Sequence, residues 1–278
     1  MQEMKSRLKE AADGTKSFEP ISHEERARRN CDDLNRAEVG TLHLTDGYVC
    51  EKCNNRGYAY YTKGAYIYRT VCDCWKPRKT IRRMMESGLA NVIKKYTFER
   101  YNAEDAWQKH IKEKALKFAS DESARWFFIG GASGSGKSHI CTAICRKFFK
   151  TKDVQYMLWE EESKYLKSNI MEAEIYQPRM KRLKEVDVLY IDDFFSRHRD
   201  GESVRPSDPD IALARELLNH RYFNEKITII STEWYSSEIF EMDEALGGRI
   251  IELSGEYCLN VGREPGKNYR LKMGGVFL

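Results

Sequence analysis

At 278 residues and 41% hydrophobic content, the chain can build one large domain and a smaller module. A charged fraction of 32% suits a soluble protein, and the net charge of +4 is too mild to say more as a global number. No window approaches 18 consecutive apolar residues, which excludes a membrane-spanning helix, and "MQEMKSRLKEAADG" has no apolar stretch of the kind a secretory signal needs.

In chain order, residues 1–45 are polar with helical runs such as "SHEERARRNCDDLNRAEV" and read as a helical N-terminal arm. Residues 46–75 are bounded by cysteine pairs: Cys50 and Cys53, then Cys72 and Cys74. Two close pairs brought together by a hairpin supply the four thiolates of a tetrahedral zinc site. "GYAYYT" and "AYIYRTV" flank Lys63 and Gly64, and a glycine there provides the positive φ of a tight turn. So small a unit needs the metal to fold. Cys31 has no close partner and reads as a free thiol; His43 is a reserve ligand. The hairpin carries Tyr58, Tyr60, Tyr61, Tyr66 and Tyr68 beside Arg56 and Arg69. Such aromatics stack on bases, cover a small ribbon, or form a protein-binding surface. With half the cysteines at metal-ligand spacing and two more in a helix farther on, a reducing cytoplasm is the expected setting.

Residues 76–125 form a basic helical linker. Between 75 and 100 there are eight Lys/Arg against two Glu, a local excess that can meet phosphates; a solvated helix face accounts for it equally well. From 126 onward, short apolar runs alternate with amphipathic helices. Strands are expected at 126–130, 154–159, 186–193, 226–233 and 257–261, which makes residues 126–278 an α/β domain on a parallel sheet with helices on both faces. Residues 196–210, rich in charge, proline and glycine, read as a loop.

"GASGSGKS", residues 131–138, is a complete P-loop between a strand and a helix. It assigns ATP phosphates to Gly131, Gly134, Ser135, Gly136, Lys137, Ser138 and His139. Backbone N–H groups cradle the anion, Lys137 neutralises it, and the Ser138 hydroxyl holds Mg²⁺. "VLYIDD" ends a buried strand in two acids. Asp192 would complete the Mg²⁺ shell, and Asp193 would polarise the attacking water. Asp193 is one methylene shorter than the glutamate of many ATPases, so slow hydrolysis is expected; a strand-end cap is its plain alternative. "IISTEW" places Thr232 and Glu233 where a sensor of the γ-phosphate would sit. In "EMDEALGGRIIEL" a helix is expected to end at Gly247-Gly248 and to present Arg249 to a neighbour's nucleotide, as an arginine finger in an oligomer does. An arginine capping its own helix is the alternative.

The order P-loop, "YIDD", "IISTE", "GGRIIE" resembles the AAA+ ATPases. "SGLANVIKKYTFERYNAEDAW", "ALKFA", the cysteine module and "KNYRLK" make the chain similar to the DnaC/DnaI-type helicase loaders of bacteria and their phages, over about residues 50–278. The resemblance implies an ATPase that binds a replicative hexameric helicase through its N-terminal part, self-associates through its AAA+ part and holds single-stranded DNA. It places Lys164, Tyr165 and Lys167 toward the DNA channel, although a plain amphipathic helix explains them too. The family's sensor is usually Asn, where this chain has Thr232 and Glu233. Only 17 residues follow "YCLNV", so a lidless form is expected, in which Arg270 replaces some lid contact. Two rivals remain at this point: an IstB-type transposition helper ATPase, and a zinc-dependent binding module with a non-hydrolysing P-loop.

Overall fold

The structure, a computed structural model, describes residues 21–85, 93, 95–149, 151–196, 198–199, 202–203 and 205–269. The first 20 residues of the expected arm, the "SGLANV" segment and Arg270 lie outside the described residues. The chain divides into two compact units, residues 1–45 with 49–72 and residues 46–48 with 73–278.

In the first unit, helix α1 (His23–Ala37) starts at Ser22, whose hydroxyl accepts the Glu25 N–H at 3.1 Å. Glu24 and Glu25 place negative charge against the positive end of the helix dipole. A short helix, α2 (Leu42–Asp46), follows. Strands β1 (Tyr58–Lys63) and β2 (Tyr66–Val71) pair antiparallel with Tyr61 opposite Tyr68. Gly64 takes φ +62° in the turn between them, so the hairpin lies where the tyrosine runs place it. Tyr61 and Tyr68 stack at 5.6 Å, and Arg56 and Arg69 lie 5.3 and 5.0 Å from the Tyr58 ring centre. The Asn35 side chain of α1 donates to the Tyr60 carbonyl and accepts the Tyr60 N–H, both at 2.9 Å. It thereby stands in for a neighbouring strand at the outer edge of β1.

The second unit opens with α3 (Trp75–Met84) and α4 (Ala106–Ser120). It continues through β3 (Trp126–Gly131), α5 (Lys137–Phe148), β4 (Val154–Leu158), α6 (Trp159–Ser168), α7 (Ala173–Glu185) and β5 (Val188–Asp192). The segment expected as a loop holds two-residue strands β6 (His198–Arg199) and β7 (Glu202–Ser203), paired with each other. Then come α8 (Asp208–Phe223), β8 (Ile227–Ser231), α9 (Ser236–Met242), α10 (Glu244–Ser254) and β9 (Cys258–Val261). Ser207 and Asp210 close a reciprocal capping box that starts α8.

The five expected strands form one parallel sheet in the order β4-β5-β8-β3-β9. Alternate residues of β3 serve opposite faces. Phe127 and Ile129 join one core with Ile140 and Ile144 of α5, while Trp126 and Phe128 join the other with Leu217 of α8 and Ile250 of α10. Such a sheet is buried on both sides. It directs the C-terminal ends of β3 and β5, on either side of β8, to one crevice beside the point between β8 and β3 where the strand order reverses.

Arg221 holds the opposite end of the sheet. Its guanidinium is fully buried and donates to the carbonyls of Leu183 (2.8 Å), Val186 (3.0 Å) and Ile227 (2.6 Å) and to Thr228 Oγ1 (2.9 Å). A planar fork satisfies acceptors in several directions at once, which a lysine ammonium cannot. Arg221→Met is expected to lower the unfolding free energy by about 3 kcal/mol or more, because it strands buried carbonyls. Urea denaturation followed by circular dichroism reads this out, and Arg221→Lys should recover little of it. A variant as stable as wild type would show that water replaces the guanidinium.

Candidate functional site

The P-loop is shaped by its glycines. Gly131 ends β3 at φ +107°, and the Val261 carbonyl of β9 occupies the place a Cβ would take. Only glycine fits so close a backbone approach. Lys137 begins α5, and its ammonium donates to the carbonyls of Gly131 (3.0 Å) and Ala132 (2.6 Å), curling the loop around the charge. Ser135 Oγ donates to the Ala132 carbonyl at 2.8 Å. Burial lowers the Lys137 pKa, while Glu233, Asp193 and Asp192 oppose that shift. The N–H groups at the start of a three-turn helix, a buried ammonium and the helix dipole together form an anion cradle.

Asp192 stands at the end of β5 and is only 6% exposed. Ser138 Oγ donates to its Oδ1 at 3.0 Å, Tyr156 Oη to its Oδ2 at 3.2 Å, and the Ser231 hydroxyl also donates to Oδ1. The sequence reading paired Ser138 with Asp192, and the structure brings them together. It missed Tyr156 and Ser231. The available signal was a polar residue inside each apolar strand, since a buried hydroxyl needs a partner. In turn, burial and then the Asp192 charge push the Tyr156 hydroxyl pKa up.

Asp193 is exposed between two buried neighbours and has φ +49°. Thr232, expected as a sensor, is fully buried. Its hydroxyl donates to the Phe194 carbonyl at 2.6 Å and accepts the Trp234 N–H at 3.1 Å. Glu233 acts electrostatically on Lys137, and its carbonyl accepts from Arg263 Nη2 at 2.8 Å. His139 stacks on Tyr96 at 4.5 Å, and its Nε2 lies 2.8 Å from the Thr97 carbonyl, so that nitrogen carries the proton. Burial lowers its pKa, against the opposing pull of the Thr97 carbonyl. Tyr101, from the same segment, packs its ring against Gly136. The Tyr269 N–H donates to the Gly134 carbonyl at 2.9 Å, so the P-loop contacts chain from both sides of its own strand–helix unit.

The expected helix end at Gly247-Gly248 is corrected. Helix α10 runs unbroken from Glu244 to Ser254. Gly247 is there because the backbone of Phe240 in α9 passes where its Cβ would be. Arg249 is therefore a mid-helix residue. Its Nη1 donates to the Ala245 carbonyl at 3.0 Å, and its guanidinium lies 5.5 Å from the Tyr222 ring centre. Phe240 is 40% exposed and lines the same surface hollow as Arg249, and Phe223 is 73% exposed at the end of α8. Of the residues expected to face DNA, Lys164 pairs with Glu160 at 2.7 Å and Lys167 with the buried Asp210. Tyr165 is 46% exposed beneath the Arg179 guanidinium.

The four cysteines of the two close pairs converge. The sulfurs of Cys50, Cys53, Cys72 and Cys74 all lie within 4.8 Å of one another, and those of Cys50 and Cys72 are 3.8 Å apart. Tetrahedral zinc with Zn–S bonds near 2.3 Å requires sulfurs about 3.8 Å apart, so the donor set fits that metal. His43 is outside the cluster. Burial raises the Cys50 thiol pKa. Arg78, which the sequence reading did not single out, is fully buried. Its Nε donates to Cys74 Sγ at 3.5 Å, and its Nη1 reaches Asp46 at 2.6 Å. Such outer hydrogen bonds orient metal-binding sulfur.

A family model of the bacterial DnaA ATPase domain matches residues 92–252. Among curated proteins, the chain is 31% identical over 215 residues to the uncharacterised protein YqaM of Bacillus subtilis, covering 73% of this chain and 67% of that one. It is 23% identical over 178 residues to the replicative helicase loader DnaC of Escherichia coli, covering 63% and 69%. A crystal structure of the DnaC helicase loader superposes with a TM-score of 0.51 at 21% identity, over 63% of this chain and 100% of that one. The two share a fold. DnaA of Aquifex aeolicus bound to AMPPCP matches at 18% identity with a TM-score of 0.49, covering 66% of this chain and 57% of the DnaA chain. The chain thus spans little more than half the length of that relative.

The path of α10 sets opposite expectations for its two glycines. Gly247→Ala should destabilise the protein by about 1–3 kcal/mol, because its methyl group must push α9 away. Gly248→Ala meets nothing closer than 3.9 Å and should stabilise by up to about 1 kcal/mol, as alanine does inside a helix. Thermal unfolding of the two variants tests this. Loss of stability in both would restore the helix end at the glycines.

Proposed function

The chain belongs to the family of the bacterial DnaA ATPase domain, and we propose that within it the protein is an ATP-dependent loader of a replicative hexameric helicase onto single-stranded DNA. The observation that carries this reading is the assembled site itself: a P-loop whose Lys137 and Ser138 stand against the strand-end acids Asp192 and Asp193. The sequence relationship to DnaC and the shared fold support the choice of loader.

In this reading the N–H groups from Gly134 to Ser138 and the Lys137 ammonium hold the phosphates of ATP. Ser138 and Asp192 would be the Mg²⁺ ligands. Bound ATP–Mg²⁺ supplies a phosphoanhydride and neutralises charge on its oxygens. Asp193 orients the water that attacks the γ-phosphate. Its short side chain suits slow hydrolysis, as expected of a switch that times assembly and release. Glu233, whose charge reaches Lys137, is the remaining sensor candidate. Arg249 and the apolar side chains around it form the contact through which a second copy receives an arginine finger. Lys164 and Tyr165 are the stronger candidates for the DNA strand, since Lys167 is held by a buried acid. Residues 1–75 carry the helicase-binding surface, and a zinc ion in the four-cysteine centre holds it folded.

Mixing the purified chain with the replicative helicase of the same source, ATP and single-stranded DNA should give a complex that residues 76–278 alone do not form. Its DNA affinity should fall with salt, and Lys164→Glu should flatten that slope. Lys137→Ala should abolish the response to ATP. Arg249→Ala should bind ATP yet lose most turnover, and mixing it with Lys137→Ala chains should restore part of it. Failure to bind any helicase while ATP is still hydrolysed would favour an IstB-type helper. Absence of complementation would return Arg249 to a role within its own helix.

Elemental analysis of the purified chain should find about one zinc per chain. Cys50→Ser or Cys72→Ser should lose the metal and the ordered hairpin, while ATP binding persists. A metal-free protein with an ordered hairpin would refute the zinc reading.

A further inference from the structure

The turn that follows β5 has an improbable backbone. Asp193 and Phe195 both have positive φ, +49° and +54°. Aspartate tolerates this region, whereas a bulky aromatic side chain adopts it only when its surroundings enforce it. The hydrogen-bonding groups that enforce it come from the segment at the end of β8, the strand next to β5 in the sheet. The Ser231 carbonyl accepts the Phe194 N–H at 2.9 Å. The Thr232 hydroxyl donates to the Phe194 carbonyl at 2.6 Å, and Trp234 Nε1 donates to the Phe195 carbonyl at 2.6 Å. The Trp234 N–H, donating to Thr232 Oγ1 at 3.1 Å, fixes the direction in which that hydroxyl points. From the other side, the Trp159 ring meets the edges of Phe194 and Phe195 at 4.8 and 5.3 Å. Every one of these groups is buried. Asp193 is the exposed residue of the turn, so the clamp leaves its carboxylate outside and fixes the backbone beneath it.

We propose that Thr232 and Trp234 are positioning residues that hold the Asp193 carboxylate in register with the P-loop, acting through the 194–195 backbone and not through contact with nucleotide. The proposal rests on the reading of Asp193 as the residue that orients the attacking water. It gives the polar end of β8 a different task from the one its sequence suggests. The Thr232 hydroxyl is used up inside the protein, with one donated and one accepted bond, and has its effect on the acid of the neighbouring strand. A carboxylate that aligns water acts only within a narrow range of positions, so small displacements cost large factors in rate while leaving binding intact.

The test uses the full chain, with nucleotide affinity measured by titration of a fluorescent ATP analogue and turnover by phosphate release. Thr232→Val removes the hydroxyl at constant shape, and Trp234→Phe removes the indole N–H while keeping an aromatic ring in place. Each should lower kcat by roughly tenfold or more, while KM and nucleotide affinity stay within about twofold. Thr232→Ser, which keeps the hydroxyl, should retain most of the turnover. Asp193→Asn should also lower kcat, and adding Thr232→Val to it should change kcat by less than about twofold, because the residue being positioned is already disabled. An unchanged kcat in both Thr232→Val and Trp234→Phe would overturn the proposal. So would an equal loss from Thr232→Val with and without Asp193→Asn. If Thr232→Val fails to fold, Trp234→Phe carries the same two comparisons. If Asp193→Asn alone leaves turnover intact, the reading of Asp193 falls first, and the positioning role falls with it.

Discussion

The carboxylate of Asp192 is where the second unit is joined. It is buried at the end of β5 and takes hydrogen bonds from Ser138 at the start of α5, Ser231 at the end of β8 and Tyr156 in β4. A buried carboxylate left with fewer partners would be costly, so three elements must arrive together for it to be tolerated. That requirement fixes the P-loop helix against the sheet, holds the neighbouring strand ends level and presents Asp193 one residue further on. The nucleotide site is in this sense a by-product of satisfying one acid.

The same logic recurs away from the crevice. Arg221 ties the entry to β5 and β8 with one buried guanidinium, and Arg78 ties Cys74 to Asp46 with another. Both sit in low-dielectric surroundings where their fixed forks satisfy several acceptors. The chain is mildly basic overall, yet these two cations are structural. Charge counting along a sequence does not separate them from solvated ones.

The strands, the parallel sheet, the P-loop, its acid pair, the tyrosine hairpin and the cysteine cluster were legible because each is written in local pattern: apolar runs, fixed spacing, turn residues. What was not legible depends on crossings between distant segments. Gly247 looks like a helix stop by composition, but it serves the passage of Phe240, and no local rule distinguishes a glycine that ends a helix from one that admits a neighbour. Thr232 looks like a free polar tip, but its hydroxyl is used by a carbonyl from the adjacent strand's turn. His139 belongs to the P-loop by position and to the Tyr96–Tyr101 segment by contact. Lys167 reads as a surface cation until Asp210, 43 residues away in sequence, is placed beside it.

Asn35 has a consequence for how the tyrosine ribbon can be extended. Its side chain occupies both hydrogen-bonding groups of Tyr60, so the β1 margin is already taken by the protein's own helix. The two-stranded sheet has no further strand on its β2 side among the described residues. An extended chain would therefore add there and not at β1, pairing with the outward backbone groups of Ile67, Arg69 and Val71, which the register with Tyr60 turns away from β1, with its direction set by a single template strand.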